Sequence, residues 1–442
     1  MTTATTVGGG LSRLEPQPDS HHPAWLAEAR RAAFGWVAEH GFPTLKDEDW
    51  RYTRLGPILE APFEPAVPGV GHRPPSSAID ALAADLGGAR LVFVNGYFAP
   101  ELSSLTKLPQ GATVTSLASV LAEDGKLLEP LFSGPFGQHH HAFTALNAAL
   151  TEDGAFVHLP ADTTVEDPIH LVFFSDTGGS PVVSSPRSVV LAGPGSRVTI
   201  VETHAGTPGD VYCTNAVTEV VLEEGAQVEH YKVQNESEAA FHLALLDVRQ
   251  GRDSRFSSHS VALGSSIARH EVRVRLDAEG AEVSLDGLYM PRGNQHHDNP
   301  ILIEHAAPRC TSRQLYKGVL DGHGHGVFNG RVVVRPGADG TDASQTNKNL
   351  LLSDHAEVDT RPRLEIFADD VKCTHGAAVG QLDEDAVFYL RSRGVPHQAA
   401  RGLLTYAFVN EMVERLGLEP LRSRVEKLVA QRLATSGDEV QT

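Results

Sequence analysis

From about residue 90 to 370 the chain is written in short β-branched or alternating runs, among them LVFVNG, IHLVFF, RVTIVET, HEVRVRL and GRVVVR, each closed by Gly, Asp, Asn or Pro. About 280 residues of such punctuation leave few architectures open. One helical candidate, HHHAFTALNAAL at 139–150, interrupts the strands, and helix-length segments are scarce after it, which disfavours a βαβ parallel sheet. Corners recur: VLAGPGSRV ends at Val198, VLEEGAQV at Val228, RLDAEGAEV at Val283 and SDHAEV at Val358, with spacings of 30, 55 and 75. The unequal spacing suits a stacked β-helix whose coils vary in length, while a large sandwich or two barrels stay open.

Helical periodicity brackets this region. Residues 23–40 form an amphipathic stripe with Pro23 in the first turn and Gly41 past the end, and the proline- and glycine-rich 56–78 stretch reads as an extended linker leading away from it. After about 380, Asp383 is set to cap a helix that Gly394 stops. A second helix begins at Pro396, with Ala400, Leu403, Leu404, Ala407, Phe408, Met412 and Leu416 near one face, and a third covers roughly 419–434. The expected division is 1–80 (helices and linker), 81–375 (β core) and 376–442 (C-terminal helices, capping the solenoid end or docking a partner).

Charge and motifs narrow the function. Lys plus Arg total 37 against 56 Asp plus Glu, a net charge of −19 that argues against nucleic acid, and no apolar run is long enough to cross a membrane. The N-terminus carries no targeting pattern, so the cytoplasm is the expected compartment. Three well-separated cysteines, Cys213, Cys310 and Cys373, write neither a disulfide framework nor a four-ligand zinc motif. Glycine-rich phosphate loops and nucleophile elbows are missing from the sequence. The acidic residues Glu219, Glu223, Glu229, Glu271 and Asp286 read as solvated outer faces. Among the 22 histidines, His139, His140, His141, His296 and His297 read as chance neighbours. His323 and His325 in DGHGHG alternate as metal-binding pairs do, and a metal-dependent β-helix enzyme built on them is the alternative function.

The segment 364–394 is the most informative. Cys373 and His375 stand two apart, on one side of an extended chain, and thiolate and imidazole both suit iron or zinc. Two ligands do not complete a site, and the residues alone equally allow a buried cysteine beside a hydrogen-bonded histidine.

This segment, with FNGRVVV at 328–334, QTNKNLLLS at 345–353 and GFPTLKDEDWRYT at 41–53, resembles the SufD family, the scaffold subunits of the SUF iron–sulfur cluster assembly system, over about 25–418. The resemblance implies a right-handed parallel β-helix between helical ends and a non-catalytic subunit. Its implied partners are a SufB-like paralogue and a SufC-like ATPase docking on the C-terminal helices. A homodimer stays open for the isolated chain. The family's VKC[ST]HG motif falls on Val371 to Gly376, which makes Cys373 and His375 the implied residues at the interface where a nascent, transiently shared cluster forms; no resident cofactor is expected on the chain by itself. SufB-like chains place a cysteine after the Ser-Gln step, where this chain has Thr346 after Ser344 and Gln345. The sequence departs from the family's AQKTDA at Ala338 to Ala343 and carries Ala378 where Thr is frequent.

Overall fold

A computed structural model describes residues 11, 14, 23–69, 74–83, 86–123, 125–133 and 141–435. Two sheets face each other and share one winding. One runs from Thr113–Ser116 to the edge strand Glu357–Thr360, the other from Tyr97–Phe98 to the edge strand Val371–Gln381. Antiparallel pairing occurs only at the start, between Arg90–Val94 and Tyr97–Phe98 and between Thr113–Ser116 and Ala155–Leu159; the later ladders are parallel. This is the expected parallel β-solenoid.

The recurring corners report its pitch. Val198, Val228, Phe256, Val283, Ser312, Ala343 and Cys373 are register partners in consecutive coils, so one coil takes 27 to 31 residues. The 30-residue interval is one coil and the 55-residue interval is two, with Phe256 in the skipped rung. Val358 stands in the other sheet, opposite Gly326, which is why its spacing breaks the series.

Strand alternation divides each coil between an inner and an outer face. Inward side chains build a continuous apolar core from Leu91 through Val198, Phe256 and Ile303 to Phe328, with Cys373 packed at its far margin. The remainder of the bore is polar: Glu202 accepts a 2.7 Å hydrogen bond from Thr218, Glu236 lies 2.8 Å from His242, and Lys232 is buried between these carboxylates and drawn down to about 8 by desolvation. The histidine surplus belongs here. His204, His230, His242, His270, His297 and His305 are buried in the bore, and desolvation holds His204, His242, His270, His297 and His305 below the ordinary imidazole range.

Both outer faces are covered, which corrects the reading of the acidic residues. The helices Ala24–His40 and Ala142–Leu150 and the segment around Trp50 pack on the first sheet over Cys213, Phe241 and Ile267. His397–Glu414 and Glu419–Thr435 pack on the second sheet through Val409, Met412, Val425 and Val429 over Val233, Val261 and Val319. Glu219, Glu271 and Asp286 therefore lie under packed elements and are buried, while Glu223 stays exposed. Each buried carboxylate has acquired a cation: Glu271 meets Arg269, Arg273 and His141, and Asp286 meets His259 and Arg415.

Glu219 makes a two-point contact with Arg187, at 2.7 and 2.9 Å, where both side chains are almost fully buried. Burial pushes the Glu219 carboxyl up to about 7 against the pull of Arg187. Arg187→Ala is expected to cost about 3–5 kcal/mol by leaving that carboxylate unpaired. The deficit should grow from pH 5 to pH 8, because folded Glu219 ionises at about 7 beside Arg187, whereas the folded variant, without that cation, keeps the carboxyl protonated to higher pH. Denaturant unfolding at the two pH values checks this; an equal deficit at both would remove the ion pair as its cause.

The C-terminal helices lie along the side of the solenoid, leaving its end open, so they do not cap it. Asp383 caps Glu384–Ser392 as expected, accepting from Asp385 N and Ala386 N, and Gly394 ends that turn at φ +88°, a conformation a side chain would strain. The buried stripe of His397–Glu414 is Ala400, Thr405, Val409, Met412 and Val413, rotated from the expected face, and Leu403 is exposed. The proline-rich stretch is not a free tether. It holds the helix Gly56–Glu60, buried Ile58 and Phe63, and a strand Glu64–Pro65 paired with Val182–Val183. The helix Ser76–Ala83 crosses the expected boundary at 80, and the boundary at 375 falls inside Val371–Gln381. Gly376, Ala377, Ala378 and Gly380 lack β-branched side chains, and the ladder to Thr341–Leu351, not propensity, keeps them extended.

Candidate functional site

The last strand, Val371–Gln381, pairs on one side with Thr341–Leu351, and among the described residues no strand lies on its other side. Cys373 lies in register with Ala343 and His375 with Gln345, so alternation sends both side chains toward the inner face of the final coil. Cys373 is half-buried against the margin of the core, and this burial pushes its thiol above the usual range, with Asp342 adding to the effect. His375 is exposed and makes no hydrogen bond to any described residue. The picture of a hydrogen-bonded histidine beside a buried thiol therefore does not describe it. The other two thiols are fully buried: Cys213 is raised far by desolvation, and Cys310 donates to Ala278 O at 3.3 Å. Cys373 alone of the three is placed where a metal could approach it.

Apolar side chains crowd the same region. Ile366, Phe367, Val379, Phe388, Tyr389 and Leu403 are 41 to 71% exposed, although most large apolar side chains of the chain are buried. Ile366, Phe367 and Val379 lie on or next to the edge strands, where exposed apolar side chains mark a surface prepared for pairing, whereas Phe388, Tyr389 and Leu403 lie on the helices that follow.

Sequence segments that lie far apart meet at this end. FNGRVVV lies in the strand His325–Val334, beside the edge strands Glu357–Thr360 and Arg363–Ile366; QTNKNLLLS falls largely in Thr341–Leu351, beside the strand of Cys373. The N-terminal GFPTLKDEDWRYT reaches the same coils. Glu48 accepts from Arg361 at 3.0 Å and from Arg363 at 2.7 Å, and Arg363, ahead of Arg361, holds its carboxyl below the usual range. Arg269 stacks on Trp50, 3.7 Å from the ring centre. This clamp on the edge strands was not visible in the sequence, since its partners stand about 220 to 315 residues apart.

The alternative ligand pair does not converge. His323 stacks on His355, with centroids 4.7 Å apart, whereas His325 contacts His296 and Asp359 at 3.1 and 2.9 Å. Among the described residues, no group of three or more His, Cys, Asp or Glu side chains is placed to hold a metal ion. His139 and His140 lie outside the described residues, and His141 precedes the helix Ala142–Leu150 and meets Glu271 at 3.1 Å. His296 and His297 face opposite ways: His297 turns inward to Gly264 O at 3.0 Å.

Fold and end together define a parallel β-solenoid whose last strand is left as an open edge. Residues 173–408 match the family model of the SUF system FeS cluster assembly SufBD core domain, and residues 16–171 match that of the SufBD protein N-terminal region. The chain is 34% identical to an iron-sulfur cluster assembly SufBD family protein of Synechocystis over 92% of its own length and 91% of that protein's. It is 33% identical to the iron-sulfur cluster assembly protein SufD of Escherichia coli over 89% of its length and 90% of that relative's, and 26% identical to the SufD of Bacillus subtilis over 98% and 100%. The chain belongs to the SufBD family, and its role lies in iron–sulfur cluster assembly. No helix among the described residues is long and apolar enough to cross a membrane.

Proposed function

We propose that this chain is the non-catalytic, SufD-like half of a cytoplasmic cluster-assembly scaffold. It pairs through its open end with a SufB-like paralogue and carries a SufC-like ATPase on its C-terminal helices. One observation carries the reading: a strand edge with no neighbouring strand among the described residues presents Cys373 and His375, with exposed Val379 further along the same strand. Two ligands need complements from a second chain, and an unpaired edge is where a second solenoid continues the sheet. The nascent cluster is the cargo. It forms at the shared interface on Cys373, His375 and groups of the partner, then passes on. Burial pushes the Cys373 thiol above its usual range, and metal capture by the thiolate releases a proton. ATP-driven movement of the ATPase opens the interface to iron and sulfur. Phe388, Tyr389 and Leu403, exposed on the C-terminal helices, support that docking place.

An anaerobic pull-down of the tagged chain from its native extract, with iron and acid-labile sulfide assayed in the eluate, tests the assembly. An ABC-type ATPase and a β-helix paralogue should be recovered together. Phe388→Glu combined with Leu403→Glu should lose the ATPase by at least about tenfold while retaining the paralogue, because charges on a buried apolar contact are poorly tolerated. Recovery of the chain alone with tightly bound metal overturns the reading.

A further inference from the structure

His296 and His325 take no part in the reading above, yet they are register partners in successive coils with their Nδ1 atoms 3.1 Å apart. Both outer nitrogens are engaged as well. His325 Nε2 lies 2.9 Å from Asp359 Oδ2, and His296 Nε2 lies 2.9 Å from Thr53 Oγ1. The Thr53 hydroxyl in turn donates to Asp298 Oδ2 at 2.5 Å, a buried carboxylate in contact with the Arg269 guanidinium.

Counting protons along this file leaves one answer. A carboxylate only accepts, so Asp359 takes a proton from His325 Nε2, and Asp298 takes the single hydroxyl proton of Thr53. Thr53 Oγ1 can then only accept, which places a proton on His296 Nε2. The Nδ1 to Nδ1 contact needs one proton between its two nitrogens. Four ring nitrogens therefore carry three protons, and two neutral imidazoles supply only two.

We infer that the His296 and His325 pair binds one excess proton at neutral pH, and that this proton fastens the edge strand Glu357–Thr360 and the Thr53 segment to the last full coil. The ring of the pair that faces a carboxylate directly is His325, whose Nε2 lies against Asp359, and the charge rests there. The charged groups around the pair are Asp359 and, in register with His325, Glu357 on the edge strand, Asp298 on the strand of His296, and Arg269 on the strand before it. Without the proton, either the two Nδ1 lone pairs face each other at 3.1 Å or one Nε2 faces an acceptor oxygen with no hydrogen between them. The inference rests on side chains of this chain alone and stands whether or not a paralogue pairs with the edge. It makes the order of that edge depend on pH.

The sign follows from linkage. The folded pair holds a proton that unfolded histidines, titrating near about 6.5, mostly lack at pH 7 to 8, so the contribution is full at low pH and disappears as pH rises through the pair's own titration. Hydrogen exchange of the Glu357–Thr360 amides in the isolated full chain, corrected for intrinsic rates, should accelerate about tenfold or more between pH 6 and pH 9. His325→Gln, which still offers Asp359 an N–H but carries no charge, should show the fast exchange already at pH 6 and no further pH dependence. Should that variant fail to fold, Asp359→Asn serves instead and should shift the transition to lower pH. Nitrogen NMR of the assigned pair should count three ring N–H groups at pH 7. Two N–H groups, or exchange in the unsubstituted chain that is independent of pH, would overturn the inference.

Discussion

Replacing His375 with alanine is expected to abolish cluster accumulation on the assembled complex while the chain keeps its fold and its partners. The side chain stands exposed on an edge strand and hydrogen-bonds to no described residue, so its removal should change unfolding free energy by no more than about 0.5 kcal/mol. The strand does not depend on it, because the ladder from Thr341↔Val371 to Leu351↔Gln381 is made by the backbone. What disappears is the one imidazole that the open end presents beside the Cys373 thiol. Acid-labile sulfide and iron, measured on the reconstituted complex under anaerobic conditions, check the result, with thermal unfolding of the isolated chain as the control. Normal cluster accumulation would show that the ligand assignment is wrong. Cys373→Ala is a less clean probe, since that side chain also packs at the margin of the core.

The second large effect is expected from Val379→Lys, which should weaken pairing with the paralogue by two to three orders of magnitude, that is by about 3–4 kcal/mol. Val379 lies on the terminal strand, on the same side by alternation as Cys373 and His375, and is 49% exposed. The isolated chain tolerates a lysine there because its ammonium reaches water. A second solenoid continuing the sheet would bury that ammonium without a partner, the device by which sheet edges avoid association. Sedimentation or light scattering of the mixed subunits gives the answer. Undiminished pairing would move the interface away from this end. The two substitutions thus test different parts of one surface.

Much of the fold could be read before any coordinate was known. The β-branched runs and their turn residues specify strands with tight corners, and Val198, Val228 and Val283 mark one rung position at one-coil and two-coil intervals. The cap at Asp383 and the stop at Gly394 are local chemistry, and they hold in the structure. The pairing of Cys373 with His375 was likewise legible, because strand alternation requires only their spacing of two.

Other features needed the tertiary structure. Glu219, Glu271 and Asp286 looked like surface carboxylates because their pattern is that of an outer face; only the helices and the Trp50 segment laid over that face bury them, and only then do Arg187, Arg273 and Arg415 become their partners. Helix periodicity placed Leu403 on an apolar stripe, but the contact with the second sheet selects Val409, Met412 and Val413 and leaves Leu403 outside. Of the described histidines that looked like chance neighbours, His141 meets Glu271, His297 turns into the bore and His296 meets His325 of the next coil.

The sequence by itself determined what is local: strand, turn, cap, and the two-residue spacing that sets Cys373 beside His375. The tertiary structure alone decided which end of the coil stays open, which outer faces are covered, and that Glu48 and Thr53 reach strands some 240 to 315 residues away. The physical reason is that each coil buries its inner face against its neighbours whatever lies at the ends, whereas the identity of the last rung depends on where covering helices stop. Those helices pack along the sides, and the rung that bears Cys373 and His375 remains the edge.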